Sequence, residues 1–218
     1  MEFSDSTDKQ FSLFDDPSEQ ANQNQRRVFS LPDADIVTYF NFFNEDESNS
    51  IFTDLSENIH WKQEDTFLYG KKVALPRLTA WYGDQGKTYT YSKIKMNPNS
   101  LTSTLEHIKR QVEEICGESF NSVLLNLYRN GSDSIAWHSD DEKELGKNPT
   151  IASLSFGETR SFKLRHKLKK ELKLDIELTH GSLLIMRGTT QHCWQHQIPK
   201  TRSSRKPRIN LTFRKIFG

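Results

Sequence analysis

The sequence predicts an α+β fold that is mainly β, with a double-stranded β-helix (jelly-roll) core and an N-terminal strand/helix cover. The first observation is a series of short β-branched and aromatic runs, separated by glycines, in the second half of the chain. Such spacing is typical of antiparallel sandwiches and barrels. The second observation is that candidate metal ligands lie in runs far apart in the sequence. We favour a jelly roll because its mouth brings side chains from distant strands together.

The distribution of charge divides the chain of 218 residues into an acidic start and a basic body. Residues 1–60 carry 13 Asp and Glu against 3 Lys and Arg, whereas residues 61–218 carry 16 against 27. A basic body indicates an anionic partner. No apolar run approaches the roughly 18 residues of a membrane span, and the start lacks the features of a secretion signal. We expect a monomer that binds no membrane and is cytoplasmic, or nuclear if its source is eukaryotic.

The first part of the chain predicts a leader followed by a small cover. Residues 1–27 are rich in Ser, Asp, Gln and Asn and lack the periodicity of a packed element, so we predict a disordered acidic leader. A single domain then covers residues 28–218, with the jelly-roll core at about 76–216. Residues 35–43 are β-branched and aromatic, which favours a strand. Residues 45–58 combine an acidic start with helical apolar spacing, which predicts a helix.

The middle of the chain predicts hairpins followed by one amphipathic helix. Residues 61–91 have a strand-like composition, with a hairpin tip at residues 67–72. Apolar residues then recur three and four apart, which predicts a helix with one buried stripe that Gly117 ends. The stripe comprises Leu101, Leu105, Ile108, Val112 and Ile115. Later strands are predicted at residues 150–156, 161–164, 174–178, 182–186, 192–198 and 209–216, with a Lys-rich loop at 165–173.

A metal site is indicated by His138 and Asp140, which are two residues apart and point to the same side of an extended segment. A third ligand is expected from the tail, where His192 and His196 flank Cys193. Two histidines and a carboxylate on one face of a metal leave the other face open, which is typical of non-haem iron(II) oxygenases. A zinc site made of His192, Cys193 and His196 is an alternative, as is a hydrolase that activates water with the same ligands.

Six segments between about residue 76 and residue 216 resemble the AlkB family, in order along the chain. They are Asn-Leu-Tyr at 126–128, Trp-His-Ser-Asp-Asp-Glu at 137–142, Ala-Ser-Leu-Ser-Phe-Gly at 152–157, His-Gly-Ser-Leu-Leu-Ile-Met at 180–186, Gln-His at 195–196 and Pro-Arg-Ile-Asn-Leu-Thr-Phe-Arg at 207–214. This family comprises iron(II)- and 2-oxoglutarate-dependent dioxygenases that oxidatively demethylate alkylated nucleic-acid bases. The similarity is greatest to the branch of the two human DNA-repair homologues. It implies Fe(2+) as cofactor, with 2-oxoglutarate and O2 as cosubstrates.

The resemblance implies which residues hold the iron. His138, Asp140 and His196 match the family's three metal ligands. The family places its last ligand at the His before an x-x-Pro turn, which here is His196 before Pro199. The resemblance gives His192 no role in the site.

Four further residues match the family's 2-oxoglutarate site. Arg208 and Arg214 are six residues apart, so both point the same way if they share one strand. A planar guanidinium binds a carboxylate by two parallel hydrogen bonds, which suits a dicarboxylate cosubstrate. Asn126 and Tyr128 match positions that hydrogen-bond the same cosubstrate.

The resemblance also implies contacts to a base that leaves its stack to reach the metal. Tyr91 matches the position that stacks on the flipped base, and Tyr89 matches a position near the phosphate of the lesion. Asp141 and Glu142 belong to the family's acidic segment, and a carboxylate beside the base suits cationic lesions.

Leu68 and Tyr69 fall where duplex-preferring relatives carry an apolar finger, so they are a candidate duplex wedge. Other motifs, including Pro-Arg-Leu-Thr-Ala-Trp-Tyr-Gly at 76–83, resemble the single-strand-preferring branch. We expect demethylation of 1-methyladenine and 3-methylcytosine in DNA, with single strands preferred, and release of formaldehyde and succinate. RNA is a further candidate substrate. A protein hydroxylase of the same cofactor class and a nucleic-acid-binding module with a vestigial metal site are alternatives.

Overall fold

The structure is a computed structural model that describes residues 25–68, 70–84, 89–91, 94–96, 98–203 and 205–217. Within these ranges the strands are β1 (Arg26–Leu31), β2 (Ala34–Tyr39), β3 (Asp65–Leu68), β4 (Lys71–Ala74), β5 (Leu78–Gly83), β6 (Tyr89–Tyr91), β7 (Ile94–Met96), β8 (Ser122–Tyr128), β9 (Ile135–His138), β10 (Ile151–Gly157), β11 (Arg160–His166), β12 (Lys173–Leu178), β13 (Ser182–Arg187), β14 (Trp194–Ile198) and β15 (Arg208–Arg214). The helices are α1 (Glu45–Asn58), α2 (Ser103–Cys116) and α3 (Thr190–Cys193), with a 3-10 turn at Lys143–Leu145. Residues 1–24 of the predicted leader lie outside the described residues, and β1 begins at Arg26.

Two antiparallel sheets form the core. The larger has seven strands in the order β1-β2-β13-β10-β15-β8-β5, and the smaller has four in the order β12-β11-β14-β9. A buried apolar cluster joins them, with Leu124 and Met186 from the large sheet against Phe162 and Leu164 from the small one. This arrangement confirms the prediction of a mainly β fold with a double-stranded β-helix core. Two further hairpins, β3-β4 and β6-β7, stand apart from both sheets.

Strand β15 is buried on both sides of the large sheet, since all seven of its residues are buried. Ile209, Leu211 and Phe213 join the apolar core that also contains residues of α1 and α2. Their neighbours point to the opposite side, as strand alternation requires, and face the space between the two sheets. These neighbours are Arg208, Asn210, Thr212 and Arg214. One strand therefore anchors the helices and supplies a row of polar side chains to the interior.

The predicted cover consists of the β1-β2 hairpin, which extends the large sheet at one edge, and α1, which contacts β10 and β15. The prediction of a helix at 45–58 is confirmed. Its start is fixed by a capping box, in which the Asn44 side chain accepts from the Glu47 amide at 2.9 Å and Glu47 accepts from the Asn44 amide at 3.3 Å. Helix α2 ends at Gly117, whose φ of 68° suits glycine. Among the described helices, none is long and apolar enough to cross a membrane.

Two predicted strands have different limits in the structure. Strand β2 ends at Tyr39 and not at residue 43, because Asn41 has a left-handed φ of 56° that a strand does not accommodate. Strand β14 begins at Trp194, two residues later than predicted. The amides of residues 192 and 193 each donate to the Thr189 carbonyl at 3.0 Å, which closes a helical turn there. The other strands predicted after residue 150 lie within two residues of their observed limits.

Two details of the predicted helix and loop were wrong. Ile115 was placed on the buried stripe of α2, but it is 40% exposed, and Cys116 joins the core instead. A step of four residues from Val112 stays closer to the buried face than a step of three at this end of the helix. The Lys-rich segment 165–173 is shorter as a loop than predicted, because β11 runs to His166 and β12 starts at Lys173.

Candidate active site

A cavity opens between the two sheets, and strands of both sheets form its wall. It is lined by Leu124, Asn126, Tyr128, Ile135, His138, Asp140, Phe162, Met186, His196, Ile198, Arg208, Asn210, Thr212 and Arg214. All residues that the sequence assigned to the metal and to the cosubstrate are in this set. The fold thus brings together side chains from β8, β9, β14 and β15 in one enclosed space.

The three candidate metal ligands converge at one end of β9. His138 on β9 and His196 on β14 are direct cross-strand partners, and their ring centroids are 4.2 Å apart. Asp140 follows β9 and places Oδ2 3.9 Å from Nε2 of His196, which is longer than a hydrogen bond. One ligand atom from each residue lies within 4.8 Å of the other two. This spacing allows a single ion to contact all three.

Hydrogen bonds outside the ligand set orient the ligand atoms. The Nδ1 atom of His138 is 2.8 Å from the carbonyl oxygen of Ala136, which only accepts, so Nδ1 carries the proton and the Nε2 lone pair is left for a cation. Arg214 donates from Nη2 to Oδ1 of Asp140 at 2.9 Å. The Asp140 amide donates to the side chain of Gln191 at 2.9 Å. These contacts leave Oδ2 of Asp140 facing His196.

Burial and nearby charges fix the protonation states of the ligands. Burial lowers the pKa of His138, and burial together with His138 lowers the pKa of His196 to about 3. Burial alone would raise the pKa of Asp140, but Arg214 and the two histidines lower it to about 2. At neutral pH the site therefore presents two neutral imidazoles and one carboxylate, which is the state in which all three bind a cation.

Arg208 is the least satisfied charged group in the cavity wall. It is 1% exposed and donates from Nη2 to the Ser155 hydroxyl at 2.8 Å. Its Nε and Nη1 atoms are buried without a hydrogen-bond partner among the described residues. Burial is the main reason that the pKa of Arg208 falls to about 10. A buried guanidinium with free donors is unfavourable until an anion fills the space in front of it.

Comparison with known proteins agrees with this geometry. The sequence pattern of the 2OG-Fe(II) oxygenase superfamily matches residues 35–214. The bovine protein named alpha-ketoglutarate-dependent dioxygenase alkB homolog 3 is 49% identical over 180 residues, covering 78% of this chain and 62% of that protein. The mouse protein named DNA oxidative demethylase ALKBH2 is 38% identical over 189 residues, covering 82% of this chain and 79% of that protein. The chain belongs to the AlkB family of 2OG-Fe(II) oxygenases.

Two further comparisons define the extent of the AlkB-family similarity. The human alpha-ketoglutarate-dependent dioxygenase alkB homolog 3 is 46% identical over 191 residues, covering 84% of this chain and 66% of that protein. The chain thus spans less than two thirds of the length of the bovine and human homolog 3 proteins. The solved structure of OsALKBH1 is 18% identical, with a TM-score of 0.63, and covers 87% of this chain and 100% of its own. The similarity to that structure shows a shared fold.

The cavity of this AlkB-family chain fits the two groups in the superfamily's name. His138, Asp140 and His196 supply the two-histidine, one-carboxylate donor set that suits iron(II) and leaves coordination positions open. The unpartnered donors of Arg208 suit a carboxylate of 2-oxoglutarate. The fit rests on the three metal-binding side chains and on the Nε and Nη1 donors of Arg208.

A second group of candidate ligands does not fit a metal. Asp33, His166 and Cys193 also have ligand atoms within 4.8 Å of one another. However, Nδ1 of His166 accepts from the amides of Leu168 and Lys169 at 3.1 and 3.0 Å. The ring proton must therefore lie on Nε2, which faces Asp33 at 3.3 Å and has no lone pair for a cation. Within this group the hydrogen bond between Asp33 and His166 links the β1-β2 turn to the end of β11.

The alternative zinc site of His192, Cys193 and His196 is not formed. The exposed His192 accepts at Nε2 from the amide of Asn148 at 3.3 Å. The Cys193 thiol lies within 4.8 Å of ligand atoms of His166 and Asp33. Only His196 of the three belongs to the cavity wall. The family-based choice of His196 over His192 therefore agrees with the geometry.

Arginine side chains contact both Asn126 and Tyr128. Arg77 donates from Nε to Oδ1 of Asn126 at 2.7 Å, which leaves the Nδ2 group of Asn126 as a donor for a bound molecule. The Tyr128 ring has the guanidinium carbon of Arg160 at 5.6 Å and that of Arg208 at 5.3 Å. The two side chains expected to contact the cosubstrate are thus fixed before it binds.

Several site residues were missed by the sequence analysis. Asn210 and Thr212 alternate with the two predicted arginines on β15, so the strand pattern contained a signal for them. Phe162, whose ring stacks on His196 at 5.1 Å, gave no local signal. Arg77 and Gln191 contact the site across 49 and 51 residues of sequence, and no local pattern identifies such partners.

The predicted substrate residues lie outside the cavity wall or outside the described side chains. Asp141 is exposed and pairs with Lys167, at 3.0 Å between Oδ2 and Nζ. Glu142 is half-buried and precedes the 3-10 turn, where its carbonyl accepts from Leu145 at 3.0 Å. The backbones of Tyr89 and Tyr91 form β6, but their side chains are outside the described part.

The side chains of the two candidate wedge residues are also outside the described part of the structure. Leu68 ends β3, at the base of the β3-β4 hairpin tip that the sequence predicted, and its side chain is not among those described. Tyr69 lies outside the described residues. The roles of the wedge and of the two tyrosines of β6 stay predictions.

Proposed function

We propose that this chain is an iron(II)- and 2-oxoglutarate-dependent dioxygenase that removes the methyl group from 1-methyladenine and 3-methylcytosine in DNA, preferring single strands. The observation that carries the proposal is one cavity that holds both a His138, Asp140 and His196 donor set and the guanidinium of Arg208, whose Nε and Nη1 have no hydrogen-bond partner among the described residues. A hydrolase needs the first feature but has no use for the second. The names of the similar proteins, a DNA oxidative demethylase among them, support nucleic acid as the substrate.

The cavity residues have distinct roles in this reaction. His138, Asp140 and His196 would hold the iron, and Arg214 keeps Asp140 ionised and turned so that one oxygen is free. Arg208 would bind the carboxylate of 2-oxoglutarate that is distant from the metal. Bound there, iron(II) with 2-oxoglutarate and O2 would supply the oxidation that releases the N-methyl group as formaldehyde, with succinate and CO2 as co-products.

The apolar part of the cavity wall limits the reaction to the intended carbon. Leu124, Phe162, Met186 and Ile198 line the same space as the ligands and belong to the buried cluster between the sheets. Apolar walls exclude water and offer no polar group to compete for the open coordination positions. The protein contributes position and enclosure, and the hard chemistry belongs to the metal and its cosubstrate.

The positive charge of the body supports an anionic polymer as the partner. Residues 61–218 carry 27 Lys and Arg against 16 Asp and Glu. Basic surfaces attract nucleic acid of either kind by the same phosphate charge. Charge therefore does not distinguish DNA from RNA or single strands from duplexes, and the experiment below compares these substrates directly.

The test is release of formaldehyde from single-stranded DNA carrying one 1-methyladenine or 3-methylcytosine, with iron(II), ascorbate and 2-oxoglutarate. Parallel reactions use the duplex and the RNA of the same sequence. His138→Ala should abolish turnover, whereas the matched change His192→Ala should retain it, because His192 lies outside the cavity wall. Turnover without 2-oxoglutarate would favour a hydrolase. Succinate without formaldehyde on every nucleic acid would favour a protein hydroxylase.

A further inference from the structure

The ammonium group of Lys167 is fixed beside the turn that carries Asp140 and Asp141, which we call the metal-binding turn. It lies 3.0 Å from Oδ2 of Asp141 and donates to the carbonyl oxygen of Gln191 at 3.1 Å. The backbone of the same residue donates to the carbonyl of Cys193 at 2.8 Å. The Lys167 side chain is only 28% exposed, so its position is more restricted than that of a free surface lysine. The connection between β11 and β12 thus places a positive charge beside Asp141, outside the cavity wall.

This charge lies near any base that reaches the metal. Asp141 is the residue after the ligand Asp140, and consecutive Cα atoms are about 3.8 Å apart. Gln191, the other partner of Lys167, accepts from the Asp140 amide through its side chain. A base whose methyl group reaches the metal therefore approaches the turn that carries this ion pair, and salt does not fully screen charges that are closer than the Debye length of about 10 Å.

We propose that Lys167 sets the preference of this chain between cationic and neutral alkylated bases by offsetting the charge of Asp141. The carboxylate alone would favour a cationic base, and the ammonium beside it opposes that attraction. Lys167 is thus a positioning and specificity residue that acts through Asp141 and does not take part in the chemistry. The inference rests on the proposed function, because it concerns which base the same site accepts.

A matched control exists in the same connection. Lys169 pairs with Asp33 at the same distance of 3.0 Å, between Nζ and Oδ2. Asp33 lies in the β1-β2 turn, and within the described residues its carboxylate contacts His166 and Lys169 and not the turn that carries Asp140 and Asp141. Removing Lys169 takes the same unit charge from the same connection, so it reports any general loss of attraction to nucleic acid.

The experiment compares the unmodified chain with Lys167→Met, Lys169→Met and Asp141→Asn. The probes are single-stranded DNA with one 3-methylcytosine, which is cationic, or one 3-methylthymine, which is neutral and carries its methyl group at the same ring nitrogen. Two readouts are the dissociation constant by fluorescence anisotropy without iron, and kcat/KM for formaldehyde release with iron(II) and 2-oxoglutarate. Each is expressed as the preference for the cationic over the neutral base.

Lys167→Met should raise this preference about two- to fivefold in both readouts, the range expected of a partly exposed charge contact. Asp141→Asn should lower it, and Lys169→Met should leave it within error of the unmodified chain. The inference is overturned if Lys167→Met leaves the preference unchanged or lowers it, or if Lys169→Met raises it equally.

A structural role would give a different result. Lys167→Met would then reduce turnover of both bases equally and also reduce succinate formation without nucleic acid, because the disturbance would pass through Gln191 to the ligand Asp140. That outcome also overturns the inference. If the unmodified chain demethylates neither base under any condition, the proposed function fails first, and the inference fails with it.

Discussion

Replacing Arg208 by Met should weaken 2-oxoglutarate binding and leave the cosubstrate-free protein as stable as before, or more stable. The folded chain buries this guanidinium with a hydrogen bond from Nη2 to Ser155, and Nε and Nη1 have no partner in the described part of the chain. Replacing a buried, poorly paired charge by an apolar side chain of similar length is neutral or stabilising by about 1–3 kcal/mol. A bound carboxylate would use the two free donors, and charge-assisted bonds contribute about 1.5–3 kcal/mol each. The KM for 2-oxoglutarate should therefore rise about 100-fold or more, at about 1.4 kcal/mol for each factor of ten.

Arg160→Met is the matched control, because Arg160 lies on the same tyrosine ring and is equally buried, at 4% exposed. Its guanidinium is better satisfied than that of Arg208: it donates to the carbonyl oxygens of Asn130, Asp133 and Pro199 at 3.2, 2.9 and 2.8 Å. Its loss removes this donor from the buried contact with the Asp133 carbonyl and from the part-buried contact with the Pro199 carbonyl, so the free energy of unfolding should fall by about 2 kcal/mol or more.

The assays are urea unfolding without cosubstrate and steady-state kinetics with varied 2-oxoglutarate. The reasoning is refuted if Arg208→Met destabilises the cosubstrate-free protein as much as Arg160→Met does while leaving the KM for 2-oxoglutarate unchanged. Arg208 would then be a structural arginine whose missing partners are supplied by ordered water.

Three other predictions concern the stability of the metal-free protein, the orientation of Asn126 and the candidate duplex wedge. Because burial lowers the pKa of His196 to about 3, the folded chain binds fewer protons than the unfolded chain between that pH and the ordinary pKa of 6.5. The free energy of unfolding of the metal-free protein should therefore fall as the pH drops through this window, which urea titrations at a series of pH values would measure. Arg77→Met removes the bond that orients Asn126, so the KM for 2-oxoglutarate should rise about tenfold, and an unchanged KM would contradict this role. Replacing both Leu68 and Tyr69 by Ala should reduce demethylation of duplex DNA more than of single strands, and equal losses in the two assays would exclude a wedge.

The elements that the sequence predicted well are those whose pattern is local. The start of α1 follows from an acidic first turn and the capping box at Asn44. The position of β15 follows from strict alternation of apolar and polar residues. The paired ligands His138 and Asp140 are two residues apart, so their proximity is a property of the backbone and needs no tertiary information.

The features that escaped the sequence analysis depend on which strands become neighbours. Lys167 reaches Asp141 over 26 residues because β11, β14 and β9 are adjacent in the small sheet. The bond from Arg77 to Asn126 spans 49 residues and exists because β5 pairs with β8. A strand's register is set by the packing of its whole face, and a single sequence does not state which partner provides that face.

The packing of β15 and β9 explains why the cavity is ordered before any ligand binds. The outer side of β15 inserts Ile209, Leu211 and Phe213 into the core beneath the helices, and this apolar burial fixes the register of the strand. A slip of one residue would turn those three side chains into the polar cavity and turn Arg208 and Arg214 away from it, so folding and site assembly share one constraint. The direct pairing of β9 with β14 fixes the two histidines in the same manner. The entropy of arranging the site is therefore lost during folding and not during binding, which is the condition for tight binding of a small dianion.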